Sequence, residues 1–440
     1  MQGRRDRDDN SDMMTYEEAR DHIYSIPRFT AKNKPADTRA FYEMLGSPAA
    51  DRKIVHVAGT NGKGSVCAYC ASVFQAAGYK TAVFTSPHLV SIRERFVYDG
   101  EMISREDFTR IFQLVMHYVN LKKLPHPTFF EFLFFMAMLW FEEKKPDVII
   151  LETGLGGRLD ATNCVPHKAL TVITEIGLDH MQYLGDTVTR IAMEKAGILR
   201  TDVPCVFAGG NEESGSVIRA HAVNIDAPAY SVDLRAAAGL TFHKNFIDFC
   251  YHSRYYGYVR VSLYTCAHYQ VQNALLVLAG LDLLADLLPV SREAIEKGLA
   301  DAKWAGRMEE VLPGVILDGA HNEDGTKAFL ASVREDGCVG RRILLYGAVS
   351  DKRYEESIRM ITESRLFDRV IVTAIDTPRA ASVAGLQALF SKAVPCDICE
   401  STGQAFDSAL SMKQIDDRVY VAGSLYLVGE VKAHLGRHTG

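Results

Sequence analysis

A chain of 440 residues exceeds the usual size of one hydrophobic core, so we expect two domains. With 48% hydrophobic and 24% charged residues the composition is that of an ordinary globular protein, and a net charge of -6 gives no general reason to expect nucleic acid or an anionic membrane as a partner. Nine cysteines without a signal peptide favour reduced thiols and a cytoplasmic location.

The region before residue 53 predicts a tail followed by helices. Residues 1–12 are almost wholly charged or polar, which predicts a disordered tail. Residues 15–47 have a helical pattern at both ends, and we interpret the basic segment 28–35 between them as a surface loop.

The segment after the first predicted strand has the composition of a phosphate-binding loop. Residues 54–58 are an apolar run typical of a buried parallel strand, and a glycine-rich turn and a helical pattern follow. Glycines let successive amides point at phosphate oxygens, while a lysine and the helix N-terminus add positive charge. The spacing is tighter than in the usual G-x-x-x-x-G-K-[ST], and a simple turn is the alternative, but the flanking strand and helix favour a nucleotide site. Its residues are Gly59, Thr60, Asn61, Gly62, Lys63, Gly64 and Ser65.

Polar residues follow three further predicted strands. The strand at 80–86 ends in the sequence TSPHL, which contains Ser86 and His88. The strand at 147–152 ends in Glu152, as in a Walker B segment, where a carboxylate holds Mg²⁺ directly or through water. The strand at 169–176 leads to His180. Because ligands bind beyond the carboxyl ends of strands in an open α/β sheet, we expect Ser86, Glu152 and His180 to share a divalent metal ion.

Two helical segments and two cysteine pairs allow alternatives. The helix at 127–144 is apolar enough to raise the question of a membrane span, but it is short and contains Glu131, so we expect a buried core helix. Lys195, in a helix predicted over 187–199, is on pattern alone a solvent-facing charge. The pairs Cys67/Cys70 and Cys396/Cys399 allow a zinc site, although the first pair fits core packing.

The second half of the chain changes its pattern twice. Residues 230–265 predict short antiparallel strands, and residues 270–287 and 291–300 predict helices. From about residue 304 the alternation of strand and helix restarts without a phosphate loop. The predicted strands there are 315–317, 342–349, 369–375 and 418–422.

These patterns predict an α/β protein. We expect a mostly parallel sheet with the phosphate loop and a small antiparallel β addition in residues 13–303, after the tail at 1–12. A smaller Rossmann-like α/β domain is expected over 304–440. Arg307, Asp318 and His321 come from this second domain, and we interpret it as a substrate domain that closes on the first. The residues support phosphoryl transfer, because no activated serine or cysteine nucleophile is visible.

Several motifs together resemble those of a known family. They span 56–65, 85–89, 151–163, 177–180, 194–198, 317–322 and 422–426. The chain is similar, from about residue 15 to 436, to the folylpolyglutamate synthase and dihydrofolate synthase family of Mur-type ligases. The resemblance implies that ATP phosphorylates a carboxylate to an acyl phosphate, which the amino group of L-glutamate attacks. The carboxylate belongs to dihydropteroate or to a reduced folate, and whether one chain uses both stays open.

The resemblance also implies roles for individual residues. Ser86, Glu152 and His180 match Mg²⁺ ligands, Lys195 matches a lysine that relatives carry as a carbamate, and a monovalent cation is a further candidate cofactor. Catalytic roles fall on Lys63, His180, Lys195, Asp318 and His321, and nucleotide contacts on the phosphate loop, Asn273, Arg307 and Asp318. Substrate contacts fall on His88, Phe129, Phe130, Glu131, His321 and Ser424, with Ser424 on the glutamate side. We expect a monomer that binds neither nucleic acid nor membrane.

Two other functions compete. A Mur-type ligase that adds an amino acid to a peptidoglycan precursor usually carries threonine after the loop lysine and an additional domain. Gly64-Ser65 and a core that starts near residue 15 argue against it. A P-loop switch protein needs an Asn-Lys-x-Asp motif, and the segment NKPA at 33–36 lacks the acid.

Overall fold

The computed structural model describes residues 14–27, 33–350 and 354–438, with side chains to residue 436. The predicted tail at 1–12 and residues 28–32 of the predicted basic loop lie outside the described residues.

The strands are numbered in chain order. They are β1 (Lys53–Ala58), β2 (Thr81–Phe84), β3 (Phe96–Tyr98), β4 (Glu101–Met102), β5 (Val148–Glu152), β6 (Leu170–Ile173), β7 (Cys205–Ala208), β8 (Ala229–Val232), β9 (Ala237–Phe242), β10 (Ile247–Ser253), β11 (Gly257–Leu263), β12 (Glu309–Leu312), β13 (Val315–Leu317), β14 (Arg342–Tyr346), β15 (Arg369–Thr373), β16 (Cys396–Cys399) and β17 (Arg418–Ala422).

The helices are numbered in the same way. They are α1 (Tyr16–Ser25), α2 (Pro35–Met44), α3 (Lys63–Ala76), α4 (Arg105–Asn120), α5 (Phe129–Lys144), α6 (Met181–Leu184), α7 (Val188–Ala196), α8 (Glu212–Asn224), α9 (Gln270–Leu284), α10 (Arg292–Asp301), α11 (Glu323–Glu335), α12 (Tyr354–Ser364), α13 (Val383–Phe390), α14 (Thr402–Met412) and α15 (Leu425–His438).

The largest sheet has the strand order β4-β3-β2-β5-β1-β6-β7-β8. Strands β2, β5, β1, β6, β7 and β8 pair in parallel, and β3 and β4 form an antiparallel edge. Val57 pairs with Glu152 and Ala58 with Ile173, so β5, β1 and β6 end side by side. The carboxyl ends that carry the predicted metal ligands and the phosphate loop therefore lie at one edge, as the sequence predicted.

A second, antiparallel sheet has the order β11-β10-β9. Its apolar side chains, among them Phe249 and Val261, are buried in the same cluster as Leu275 of α9. The prediction that antiparallel strands begin at residue 230 was wrong, because Ala229–Val232 pairs in parallel with β7 as the edge of the larger sheet. The local sequence does not specify this long-range pairing.

The third sheet has the order β12-β13-β17-β14-β15-β16 and is parallel except for β12. The four strands predicted beyond residue 304 are confirmed. The two outer strands were missed, because Glu309–Leu312 begins with two glutamates and Cys396–Cys399 is short and contains an aspartate.

Helix α5 is a core helix. Residues 131–141 are all buried, and Thr128 caps its N-terminus. Of the helices in the described ranges, none combines the length and apolarity that a membrane crossing requires. The expectation of a core helix is confirmed.

Candidate active site

Glycines shape the loop between β1 and α3. Gly59 and Gly62 have φ of 149° and 89°, which side chains other than glycine rarely adopt. A Cβ on Gly59 would lie 2.9 Å from Cβ of Thr174, and one on Gly62 would lie 3.1 Å from the side-chain amide carbon of Asn273. The backbone of the turn therefore packs tightly against Thr174, which follows β6, and against Asn273 of α9.

The loop is tied to the segment that carries His180. The Thr60 hydroxyl donates to the Gly177 carbonyl and accepts from the Gly177 amide, both at 3.1 Å. The Thr174 hydroxyl donates to the Asn61 carbonyl at 2.6 Å. These bonds fix the phosphate loop relative to the carboxyl end of β6.

Two lysines converge on the Gly59 carbonyl. The Lys63 ammonium lies 3.1 Å from the carbonyls of Gly59 and Thr60, and Lys195 Nζ lies 2.6 Å from Gly59 O. Lys195 is buried, so the solvent-facing alternative was wrong. Burial, and after it the charge of Lys63, lowers the pKa of Lys195 well below its usual value. Burial therefore favours the uncharged form of the Lys195 amine.

Glu152 and Ser86 are direct neighbours. The Ser86 amide donates to Glu152 Oε2 at 2.9 Å. Glu152 is 3% exposed, and burial raises its pKa, while the charges of Lys63 and Arg307 and the Ser86 amide oppose that rise. Arg307 comes from the segment before β12, so cations from both larger sheets act on this carboxylate.

His180 has a backbone φ of 51° and precedes α6. Its side chain is 39% exposed, and its Nε2 lies 4.0 Å from Asp179 Oδ2. It follows β6 while Glu152 ends β5, and these two strands flank β1. The structure therefore brings Ser86, Glu152 and His180 to one edge of the sheet.

Asp179 connects this edge to the third sheet. Its Oδ2 lies 3.5 Å from His321 Nε2 and accepts a hydrogen bond from Asn322 Nδ2 at 3.2 Å. Asn322 Nδ2 also donates to Asn61 Oδ1 at 3.1 Å, within the phosphate loop. Sequence reasoning included Asn322 only as part of a motif, yet it forms the direct bridge between the loop and α11.

Asp318 is held by three donors. It accepts from the Tyr269 hydroxyl at 2.7 Å, the Met308 amide at 2.9 Å and the Ala320 amide at 2.8 Å. Burial raises its pKa, and the charge of Arg307 opposes the rise. Tyr269 was not predicted, although its position at the start of the apolar helix α9 was a usable signal.

A cavity of about 390 Å³ adjoins the phosphate loop between the larger sheet and the third sheet. Ser65, Gln270, Trp304 and Arg307 line it. Gln270 Nε2 donates to Ser65 Oγ at 3.2 Å, and Asn273 Nδ2 donates to Gln270 Oε1 at 2.8 Å. Gln270, which sequence reasoning missed, therefore connects the predicted nucleotide contact Asn273 to the loop.

His88, two residues after Ser86, contacts a basic and an aromatic side chain. Arg95 Nε donates to His88 Nδ1 at 2.8 Å, and the Tyr24 hydroxyl lies 3.2 Å from His88 Nε2. The Arg95 guanidinium lies 5.6 Å from the ring centre of Phe129, and the Tyr24 ring lies parallel to that ring at 6.3 Å. Tyr24 and Arg95 were missed, because no local motif marks them.

The other predicted substrate residues differ in their surroundings. Phe130 lies against Gly154, where an added Cβ would be 2.6 Å from its ring. Glu131 accepts from the Thr128 amide and from the side chains of Asn33 and Thr38, at 2.8, 2.8 and 2.6 Å. These contacts make Glu131 part of a helix cap. Ser424 is buried, and its hydroxyl accepts from the Tyr426 amide at 3.1 Å.

The described part of the chain contains no group of three or more His, Cys, Asp or Glu side chains arranged to hold a metal ion. Cys67 and Cys70 are buried in the core around α3, whereas Cys396 and Cys399 lie in β16 of another sheet. The zinc alternative was therefore wrong. The predicted Mg²⁺ ligands Ser86, Glu152 and His180 include a serine, so they do not form a group made only of His, Cys, Asp or Glu side chains.

Comparisons with known proteins cover nearly the whole chain. Residues 57–281 match the Mur ligase middle domain, and residues 306–425 match the Mur ligase glutamate ligase domain. The chain is 34% identical over 436 residues to the dihydrofolate synthase/folylpolyglutamate synthase of Bacillus subtilis, covering 96% of this chain and 99% of that protein. The protein of the same name from Escherichia coli is 31% identical over 385 residues, with 85% of each chain covered.

Two solved structures have the same fold. E. coli FolC in complex with DHPP and ADP superposes with a TM-score of 0.85 at 28% identity, covering 97% of this chain and 99% of that one. Mycobacterium tuberculosis folylpolyglutamate synthase complexed with ADP gives a TM-score of 0.88 at 27% identity, covering 96% and 98%.

Proposed function

Since the chain belongs to the dihydrofolate synthase/folylpolyglutamate synthase family of Mur-type ligases, we propose that it uses ATP to join L-glutamate to a folate or pteroate carboxylate. The peptidoglycan alternative loses support, because relatives matched over almost the full length carry folate-synthase names. The observation that carries the proposal is the convergence of the phosphate loop, the Ser86–Glu152 pair and the Asp318–His321 segment between two facing sheets.

The nucleotide phosphates lie, in this proposal, against the amides of residues 59–65. Lys63 and the N-terminus of α3 provide the positive charge. The nucleoside occupies the cavity beside Ser65 and Gln270, whose volume falls in the usual range of about 300–1,000 Å³ for ligand pockets. Asp318 and Arg307 face the nucleotide from the third sheet.

Mg²⁺ fits the donors that the chain provides. A buried glutamate and a serine hydroxyl are hard oxygen donors of the kind Mg²⁺ prefers, and the charges of Lys63 and Arg307 favour the anionic form of Glu152. We propose that Glu152, Ser86 and His180 hold it. Bound there, the ion would neutralise charge on the phosphates.

Lys195 is proposed to be carbamylated. Carbamate formation requires an unprotonated amine, and burial beside Lys63 favours that form of Lys195. The N–C bond forms between Nζ and CO₂ with loss of one amine proton, so the side chain becomes an anion beside the Lys63 ammonium.

The reaction joins groups from both sides of the cleft. The acceptor carboxylate attacks the γ-phosphorus, ADP leaves, and an acyl phosphate forms. The glutamate amine then attacks the acyl carbon, phosphate leaves with the bonding electron pair, and the attacking nitrogen releases one proton to solvent to give the amide. Lys63, Arg307 and His321 stabilise charge on the transferred group. The pterin lies near His88 and Phe129. Residues 304–440 form the glutamate domain, in which Ser424 contacts glutamate.

An ADP-release assay tests the proposal. We expect turnover only when ATP, L-glutamate and a pterin carboxylate are all present, with dihydropteroate and tetrahydrofolate assayed separately to identify the acceptor. Equal ADP release without glutamate or without either pterin would contradict the ligase function.

A further inference from the structure

The loop after β2 contacts the third sheet as well as its own. Leu89 follows a strand of the largest sheet, yet it packs against the apolar cluster that contains Leu427, Val428 and Val431 of α15. This loop, residues 85–91, therefore places a half-buried side chain against the core of the neighbouring sheet.

A glycine in α15 allows this contact. Gly429 is buried, and a Cβ added to it would lie 3.0 Å from the carbonyl carbon of Leu89 and closer still to the carbonyl oxygen. Glycine within a helix costs about 1 kcal/mol relative to alanine, so its presence calls for a packing reason. Here the missing Cβ leaves room for the backbone of Leu89.

The loop is internally rigid. The Glu94 carboxylate accepts hydrogen bonds from the amides of Leu89, Val90 and Ser91, at 2.7, 2.9 and 2.6 Å. A displacement of Leu89 therefore strains these bonds, and the strain passes to Glu94 and to the adjacent Arg95, which donates to His88.

The same loop reaches the active site with two other residues. The Ser86 amide is bound to Glu152, and the His88 ring lies between Arg95 and the Tyr24 hydroxyl. Leu89 is the next residue after His88. The helix that contacts Leu89 also begins directly after Ser424, the residue proposed to contact glutamate.

We propose that the contact between Leu89 and Gly429 positions His88 for the acceptor substrate. The position of α15 against the loop thereby controls binding of the acceptor. Gly429 and Leu89 are positioning residues in this arrangement. The inference rests on the proposed function, since it assigns His88 to the acceptor side.

The first test compares two glycines of the same helix. Gly429→Ala introduces a Cβ against the loop, whereas Gly436→Ala adds one where no atom lies within 4 Å. We expect Gly429→Ala to raise KM for the pterin acceptor about tenfold or more, with ADP affinity by calorimetry unchanged. Gly436→Ala should match the wild type in both measurements.

Hydrogen exchange gives a readout that does not depend on activity. Amides 89–91 should exchange faster in Gly429→Ala than in Gly436→Ala, because the added Cβ displaces the loop from its contact with α15. If Gly429→Ala does not fold, Leu89→Ala provides the test, since it shortens the contact without a clash and should also raise KM for the acceptor.

Equal acceptor KM and equal exchange for Gly429→Ala and Gly436→Ala would overturn the inference, as would a wild-type acceptor KM in folded Leu89→Ala. A wild-type chain without glutamate-dependent ADP release would instead contradict the proposed function. Exchange of amides 89–91 would then still decide whether α15 holds the loop.

Discussion

At the residue scale, the Gly59 carbonyl organises the phosphate loop by accepting from two lysines with different environments. Lys63 sits at the start of α3 beside two carbonyls, whereas Lys195 is buried and its pKa is lowered well below the usual value, first by burial and then by the charge of Lys63. Lys63 thus places a positive charge at the loop, whereas burial and the neighbouring Lys63 charge favour an uncharged Lys195 amine.

Lys195→Met should stabilise the protein in bicarbonate-free buffer. Below the unfolded lysine pKa of about 10.4, the unfolded chain binds a proton that the folded chain does not, so Lys195 opposes folding increasingly as pH falls toward its lowered folded pKa. The gain in Tm over wild type should therefore grow as the pH falls below about 10. Exposed Lys53→Met serves as the control, and a gain that does not vary with pH would contradict a neutral Lys195.

Lys63→Ala should abolish turnover while the fold is retained. Its ammonium is the loop's own positive side chain, and loss of such a preorganised group costs about 10²–10³-fold in kcat. ADP release and circular dichroism measure the two effects, with Lys53→Ala as the matched control. Wild-type kcat in the Lys63 variant would rule out its catalytic role.

His180→Ala should raise the Mg²⁺ concentration for half-maximal ADP release by about tenfold or more, because it removes a proposed ligand. His167→Ala, at an exposed histidine, should leave the titration unchanged. Superimposable Mg²⁺ titrations for His180→Ala and the wild type would dismiss the metal role of His180.

At the element scale, the start of α5 places a capping residue beside the proposed pterin contact Phe129. Phe129 faces Tyr24 and Arg95, whereas Glu131, two residues later, holds the cap and α2. The structure therefore gives Phe129 and Glu131 different surroundings, although the sequence analysis grouped both as substrate contacts.

Glu131→Ala should lower the free energy of unfolding by about 1–3 kcal/mol, because the Thr128 amide and the Thr38 hydroxyl lose their buried acceptor. The KM for the folate should stay close to the wild-type value. Denaturant unfolding and ADP-release kinetics measure both, with exposed Glu106→Ala of α4 as the control. A large rise in KM at unchanged stability would restore the predicted substrate contact.

At the scale of the whole molecule, polar bonds connect the two larger sheets across the active site. Asn322 caps α11 by accepting from the Gly325 amide at 2.8 Å, and its Nδ2 reaches Asn61 and Asp179. Asn322 therefore joins the start of α11 directly to the phosphate loop.

Asn322→Ser should separate the capping of α11 from the bridge to the phosphate loop. Serine caps a helix about as well as asparagine but is too short to reach the loop. We expect near-wild-type stability, a larger radius of gyration by X-ray scattering without nucleotide, and a loss of about tenfold in kcat/KM. Asn211→Ser, which alters the equivalent cap of α8, is the control. Unchanged scattering and turnover would show that the bridge does not hold the cleft.

The sequence by itself determined the parallel strands and the edge at which they end. Apolar runs at 54–58 and 147–152 specify buried strands, and parallel pairing then brings Ser86, Glu152, His180 and the phosphate loop together. The roles of these residues remain predictions. Their common location followed from the apolar pattern and from the rule that parallel strands have their carboxyl ends at the same edge of a sheet.

Only the tertiary structure decided the contacts between distant segments. Tyr269 with Asp318, Arg95 with His88 and Phe129, Asn322 with Asn61, and Leu89 with Gly429 leave no local periodicity in the chain. The edge strands β8, β12 and β16 depend likewise on their neighbours. Local propensity and hydrophobic spacing act over a few residues, whereas these contacts depend on how whole sheets pack together.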